Sequence, residues 1–194
     1  MIAIGGLARS GKDTLAQGLA DIIKEDFRCE VKIYSFASPI RCQLKNLLEE
    51  YYHISPFTED DDEKLIIRPV MVAHGEQMKK KFGKDIWLKE LMNTIEEDRS
   101  KNEKVFPIIS DIRFDSEVEA VQGSGGMVVH IKKLGNKPPN DIEKLNDPLV
   151  RNAANLKHTW PEYEPDDMIE CNDHAQILWQ MLKESNQVWK KIYS

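Results

Sequence analysis

Between Gly6 and Thr14 the chain reads Gly-Leu-Ala-Arg-Ser-Gly-Lys-Asp-Thr, and no other stretch limits its folds so sharply. It follows the apolar run Ile2 to Ile4 and precedes Leu15, Leu19, Ile22 and Ile23 at helical spacing, so the order is strand, loop, helix. Glycines let backbone N–H groups turn inward around an anion. The helix N-terminus adds a favourable dipole, and Lys12 reaches the outer phosphates of a bound triphosphate. Ala8, Arg9, Ser10, Gly11, Lys12, Asp13 and Thr14 are therefore expected to cradle ATP, with Lys12 meeting charge that grows during transfer. Asp13 stands where this kind of loop commonly has the Ser or Thr that touches Mg2+, which leaves Thr14 as the hydroxyl for that role.

The remaining pattern repeats strand and helix. Val31 to Phe36 reads as a second strand, and Pro39 then starts a helix carrying Ile40, Leu44, Leu47 and Leu48. His53 to Glu63, with Pro56 and the acidic run from Glu59 to Asp62, reads as a solvated loop. Leu65 to Lys81 and Asp85 to Asp98 read as helices separated at Phe82-Gly83. Val105 to Ser110 is a short apolar run of the kind buried parallel strands have, so Asp111 and Arg113 fall at its carboxyl end. A helix through Glu117, Val118 and Val121 leads to Gly123-Ser124-Gly125-Gly126 and a strand from Met127 to Ile131. The segment 134–165, rich in Pro, Asn and charge, is expected to form a partly helical lid. Met168 to Cys171 reads as a fifth strand, before a helix carrying Leu178, Met181, Leu182, Val188 and Ile192. The expected fold is a single α/β domain over 1–194, with a five-stranded parallel sheet, helices on both faces and a lid. Ligands gather at the carboxyl ends of such strands.

Composition narrows the function. A net charge of −6 argues against a broad nucleic-acid surface, which needs clustered Lys and Arg. The three cysteines are scattered, with neither a disulfide framework nor zinc spacing. No run is long and apolar enough for a bilayer, and no basic leader with an apolar core precedes Ile2, so a cytoplasmic protein is expected.

Three further segments resemble the bacteriophage-type deoxynucleoside monophosphate kinases, members of the P-loop kinases. They are Phe36-Ala37-Ser38-Pro39-Ile40-Arg41; the stretch from Arg68 through Gly75-Glu76 to Phe82-Gly83-Lys84-Asp85-Ile86-Trp87-Leu88-Lys89; and Asp111-Ile112-Arg113-Phe114-Asp115-Ser116-Glu117. The resemblance implies a P-loop NTPase fold and transfer of a phosphoryl group from ATP to a nucleoside monophosphate. It also implies that Arg41, Arg68, Gly75, Glu76, Trp87, Asp111, Arg113 and Glu117 line the acceptor site, and that the protein is a homodimer. Animal phosphomevalonate kinases share a similar pattern. That leaves another small-molecule kinase as an alternative, beside a regulatory protein that binds ATP without catalysis.

Individual residues carry competing readings. Asp111 is placed either to hold Mg2+ or to bind the acceptor sugar, or to cap a helix. Arg113 and Arg68 present planar forks suited to phosphate, or pair with nearby carboxylates. Trp87 stacks on a base or packs in a core. Arg151 is a candidate to swing in from the lid onto the transferring group. Asn172 either meets the adenine of ATP or caps the last helix.

Overall fold

Ile2–Gly5 forms β1, and its four residues are buried because both faces of the strand are covered. The computed structural model describes residues 1–160 and 168–185, without the side chains of Trp160 and of residues 168–172. By compactness the chain divides into two units, one of Met1–Tyr34 with Asp98–Ser194 and the other of Ser35–Glu97.

The first unit holds the sheet. Helix α1 (Lys12–Phe27) follows β1, and β2 spans Glu30–Tyr34. After an excursion through the second unit come β3 (Val105–Ile112), α5 (Asp115–Gly123), β4 (Met127–Lys133), α6 (Asp141–Ala153), β5 (Leu156–Trp160) and α7 (Met168–Ser185). All pairings are parallel, in the order β2-β3-β1-β4-β5. Side-chain alternation splits the strands between two faces. Ile2, Ile4, Phe106, Ile108, Val129 and Ile131 share one core with α1 and α7, while α5 and α6 cover the opposite face. Asp26 of α1 accepts from Trp179 Nε1 at 2.7 Å and from Lys183 Nζ at 2.8 Å, which ties α7 to α1. The chain has the expected α/β fold with five parallel strands.

The order places β1 between β3 and β4, so successive crossovers leave it in opposite directions. A crevice opens there at the carboxyl ends, and the phosphate loop is the turn that leaves β1 at that point.

One expected element lies elsewhere. The fifth strand is Leu156–Trp160, whereas Met168 to Cys171, read as that strand, opens α7. The polar sequence Leu-Lys-His-Thr-Trp suits an edge position, with β4 as its neighbour. Segment 134–165, expected as a lid, contains α6 and the edge strand. Asn172 is helical, not in a loop after a strand, and its side chain lies outside the described residues, as do residues 161–165, Val188 and Ile192.

The second unit is helical. Helix α2 spans Ala37–Leu47 and continues into one π-helical turn over Leu48–Tyr52. Helix α3 spans Asp61–Phe82, and the unit includes most of α4 (Ile86–Lys101). The acidic run enters α3 instead of ending a loop. Asp60 is the N-cap, accepting from the backbone of Asp62 at 2.9 Å and Glu63 at 3.0 Å, and the carboxylates of the first turn face the positive end of the helix dipole. Leu44, Leu48, Ile54 and Ile67 form this unit's own core.

Candidate active site

The loop after β1 is shaped by backbone demands that its sequence meets. Gly6 has φ +141, and a Cβ there would lie 2.3 Å from the carbonyl oxygen of Ile131, so only glycine fits. Arg9 (φ 60) and Gly11 (φ 84) are left-handed, which curls the loop before α1 begins. Ser10 N donates to Leu7 O at 3.2 Å across the curl. Ser10 is 2% exposed, and its buried hydroxyl has no hydrogen-bond partner among the described residues. Lys12 lies back along the loop, its Nζ donating to Gly6 O at 2.9 Å and Leu7 O at 2.6 Å. Burial, and then the positive charge of Arg113, hold the Lys12 ammonium below the ordinary lysine pKa. Asp13, Glu143 and Asp111 oppose that shift. An ammonium held among three carboxylates and a guanidinium marks the loop, the end of β3 and the start of α6 as one electrostatic site.

Asp111 is the penultimate residue of β3, and Ile112 pairs with Gly5 immediately before the loop. Arg113 follows, and its position is fixed by Glu117 in the first turn of α5. The Glu117 carboxylate accepts from the backbone N–H of Arg113 at 2.8 Å and of Phe114 at 3.1 Å. Burial pushes the Glu117 carboxyl up to about 7, against those two hydrogen bonds. Glu117, expected to line the acceptor site, is thus engaged in holding the Arg113 backbone.

Helix α6 carries Arg151, a sequence candidate, together with Glu143 and Asp147, which the sequence reading passed over. Glu143, Asp147 and Arg151 recur every four residues along one face, and that face meets the loop and β4. Glu143 Oε2 accepts from the backbone N–H of Ala8 at 2.8 Å, while its Oε1 lies 3.4 Å from Nη1 of Arg113. Asn136 Nδ2 donates to Ala8 O at 2.9 Å. Both backbone groups of Ala8 are therefore taken by the segment between β4 and β5. Asp147 Oδ1 lies 2.8 Å from His130 Nε2, and Arg151 Nη1 lies 3.4 Å from His130 Nδ1. A guanidinium can only donate, so Nδ1 carries the lone pair and the Nε2–H donates to Asp147. His130 is buried in β4 and orients both α6 residues. Meanwhile Ile142, Leu145 and Leu149 face outward and are exposed. A cavity of about 230 Å³ beside the loop is lined by Ser10, Lys132, Lys133, Asn136, Asp147 and Arg151, with Leu7, Ile131 and Pro148. The fourfold spacing of Glu143, Asp147 and Arg151 sets them on one helical face of the segment expected to be a partly helical lid.

In the second unit Trp87 is 5% exposed, and its Nε1 donates to Gly75 O at 3.2 Å. Its indole is part of the packing. A Cβ on Gly75 would lie 3.3 Å from Ile40 Cδ1 and 3.8 Å from Trp87 Nε1, so Gly75 permits close approach of helices. Arg41 stacks on Phe57 with Cζ 5.9 Å from the ring centroid, and its buried Nε has no partner among the described residues. Arg68 is exposed on α3, and Glu76 pairs with Lys79 at 3.1 Å.

The sequence profile described as deoxynucleotide monophosphate kinase matches residues 47–145, about half of the chain. The chain belongs to this family. The match takes in Arg68, the Asp111-to-Glu117 segment and Glu143. The loop from Gly6 to Thr14 lies outside it and stands on its own geometry. No curated protein sequence matches the chain. Among solved structures, a shikimate kinase from Aquifex aeolicus vf5 is similar with a TM-score of 0.43 and 17% identity, covering 95% of this chain and 97% of that one. As a deoxynucleotide monophosphate kinase, the protein is a phosphotransferase that uses ATP and acts on nucleotide substrates. No described helix is long and apolar enough to cross a membrane.

Proposed function

We propose that ATP binds with its phosphates in the loop from Ala8 to Thr14, and that Lys12 neutralises the charge that develops on the phosphoryl group as it passes to a deoxynucleoside monophosphate. The observation that carries this reading is the curled glycine loop after β1, joined to Arg113 through the Glu143 carboxylate, which accepts from the Ala8 N–H at 2.8 Å and lies 3.4 Å from Arg113 Nη1. Phosphoryl transfer asks for alignment and charge neutralisation more than for covalent help, and an ammonium at the start of α1 and a guanidinium just past β3 provide both. Arg113 grips the acceptor phosphate through its fork. Arg151, oriented by His130, faces the cavity beside the loop and adds positive charge on the donor side.

Thr14 and Asp111 supply a hydroxyl and a carboxylate, the hard oxygen donors that suit Mg2+ when phosphates complete its shell. Thr14 is exposed in the first turn of α1, and Asp111 is near enough for its charge to act on Lys12, so the donor set fits this ion. Bound there, the ion would neutralise phosphate charge. From the second unit we assign Arg41, Arg68 and Glu76 to acceptor recognition, and the unpartnered Nε of Arg41 favours it among them. Gly75 and Trp87 serve that function by packing. Asn172 remains assigned to the donor nucleotide as part of the helix. The proposed setting is the cytoplasm, and the proposed assembly a homodimer.

ADP release with magnesium-ATP against a panel of deoxynucleoside monophosphates, with phosphomevalonate as the rival acceptor, tests the reading. Release that depends on a deoxynucleoside monophosphate supports it. Release only with phosphomevalonate, or none with any acceptor despite ATP binding, contradicts it.

A further inference from the structure

Glu143 holds two groups that the proposed reaction needs for its substrates. One oxygen accepts from the N–H of Ala8, a donor of the phosphate loop, and the other faces the Arg113 guanidinium at 3.4 Å. The carboxylate is 11% exposed, so its charge is little screened by water. Its backbone is held in turn, because Glu143 N donates to the Asn140 side chain at 2.9 Å at the start of α6. The carboxylate is therefore presented by a capped helix end and is not a loosely hanging side chain.

A phosphate oxygen and a carboxylate oxygen compete for the same N–H, because each is an anionic acceptor and the donor has one proton. We propose that Glu143 is an internal competitor of the donor phosphate whose displacement links ATP binding to acceptor capture. The inference rests on the phosphate-loop reading above. When a phosphate takes the Ala8 N–H, the Glu143 carboxylate loses one of its two anchors, and its hold on Arg113 weakens. An acceptor phosphate that draws Arg113 away acts in reverse and weakens the hold on Ala8. Each substrate thereby lowers the cost of binding the other, and linkage makes the two effects equal. The Asn136 bond to Ala8 O keeps the loop attached to the same chain segment, so a change at Ala8 is felt by α6.

The test compares wild type with Glu143→Gln, which keeps a hydrogen-bond acceptor of the same shape and removes the charge. Calorimetry with ADP and with inorganic tripolyphosphate reads the donor side. The Kd of the fastest-turning deoxynucleoside monophosphate, measured with and without ADP, reads the link. Both donor-side ligands are expected to bind about tenfold more tightly to Glu143→Gln, as loss of a charge-assisted competitor implies. ADP is expected to tighten acceptor binding by about fivefold or more in wild type and to leave it nearly unchanged in the variant. Equal or weaker ADP binding by Glu143→Gln overturns the proposal, because Glu143 then assists the nucleotide. Tighter ADP binding with an unaltered effect on the acceptor overturns the link to Arg113. A wild type that binds neither ADP nor tripolyphosphate overturns the phosphate-loop reading itself. Circular dichroism of both proteins separates these results from misfolding.

Discussion

At the scale of single residues, Lys12 is the most exposed to test. Lys12→Ala is expected to lower turnover by about a hundredfold to a thousandfold while the far-ultraviolet circular dichroism stays that of the wild type, since the ammonium acts on charge that peaks in the transition state. Near-normal ADP release by a folded Lys12→Ala protein would falsify its role. Arg113→Lys is expected to raise the acceptor KM more than the ATP KM, because a point charge cannot reproduce a bidentate fork. Equal rises would move Arg113 to the donor side or to a structural pair with Glu143. Glu117 gives a prediction with a pH sign. Its carboxyl is raised from 4.5 to about 7, so between those values the folded chain keeps a proton that the unfolded chain releases. Its contribution to stability is present at low pH and lost as pH rises through about 7. Relative to Glu117→Gln, wild-type Tm is expected to fall from about pH 5 to about pH 8. A difference that does not change with pH contradicts the assignment. The sequence made Lys12, Asp111 and Arg113 legible because their motifs fix both type and spacing. Glu143 was not, since its partner Ala8 lies 135 positions away and no local pattern announces such a contact.

Elements follow the same division. Helices and buried strands were legible wherever one periodicity dominated: Leu15, Leu19 and Ile23 in α1, and the apolar run of β3. Edge strand β5 was not, because pairing on one side tolerates Lys157, His158 and Thr159, and its neighbour β4 defines it better than its own residues do. Helix α6 is inverted relative to the usual surface helix, with polar Glu143, Asp147 and Arg151 inward and apolar Ile142, Leu145 and Leu149 outward. His130 anchors the inward face. His130→Ala leaves Asp147 and Arg151 without their shared partner and is expected to cost about 1–3 kcal/mol of stability. Urea unfolding checks this, and a loss well under 0.5 kcal/mol would show that His130 does not hold α6.

For the whole molecule, the phosphate loop after β1 and the Asp111-to-Glu117 segment that runs from the end of β3 into α5 lie at the point where the sheet reverses its winding order, and the family match covers the chain between residues 47 and 145. The acceptor chemistry follows from what lies between Glu30 and Glu49, where no Asp or Glu occurs. Kinases that act on a hydroxyl need a carboxylate to take its proton, commonly just past the second strand. A monophosphate, with a second pKa of about 6, brings its own anionic oxygen. Among the described carboxylates that act on Lys12, Asp111 is the one on a strand end and the one that would otherwise take such a proton. The most direct measurement is therefore turnover with matched pairs, thymidine against thymidine monophosphate and the same for the other deoxynucleosides, at saturating magnesium-ATP. Turnover confined to one or more monophosphates, with the free nucleosides near background, is the predicted result; efficient phosphorylation of a free nucleoside would contradict the account and make Asp111 the base.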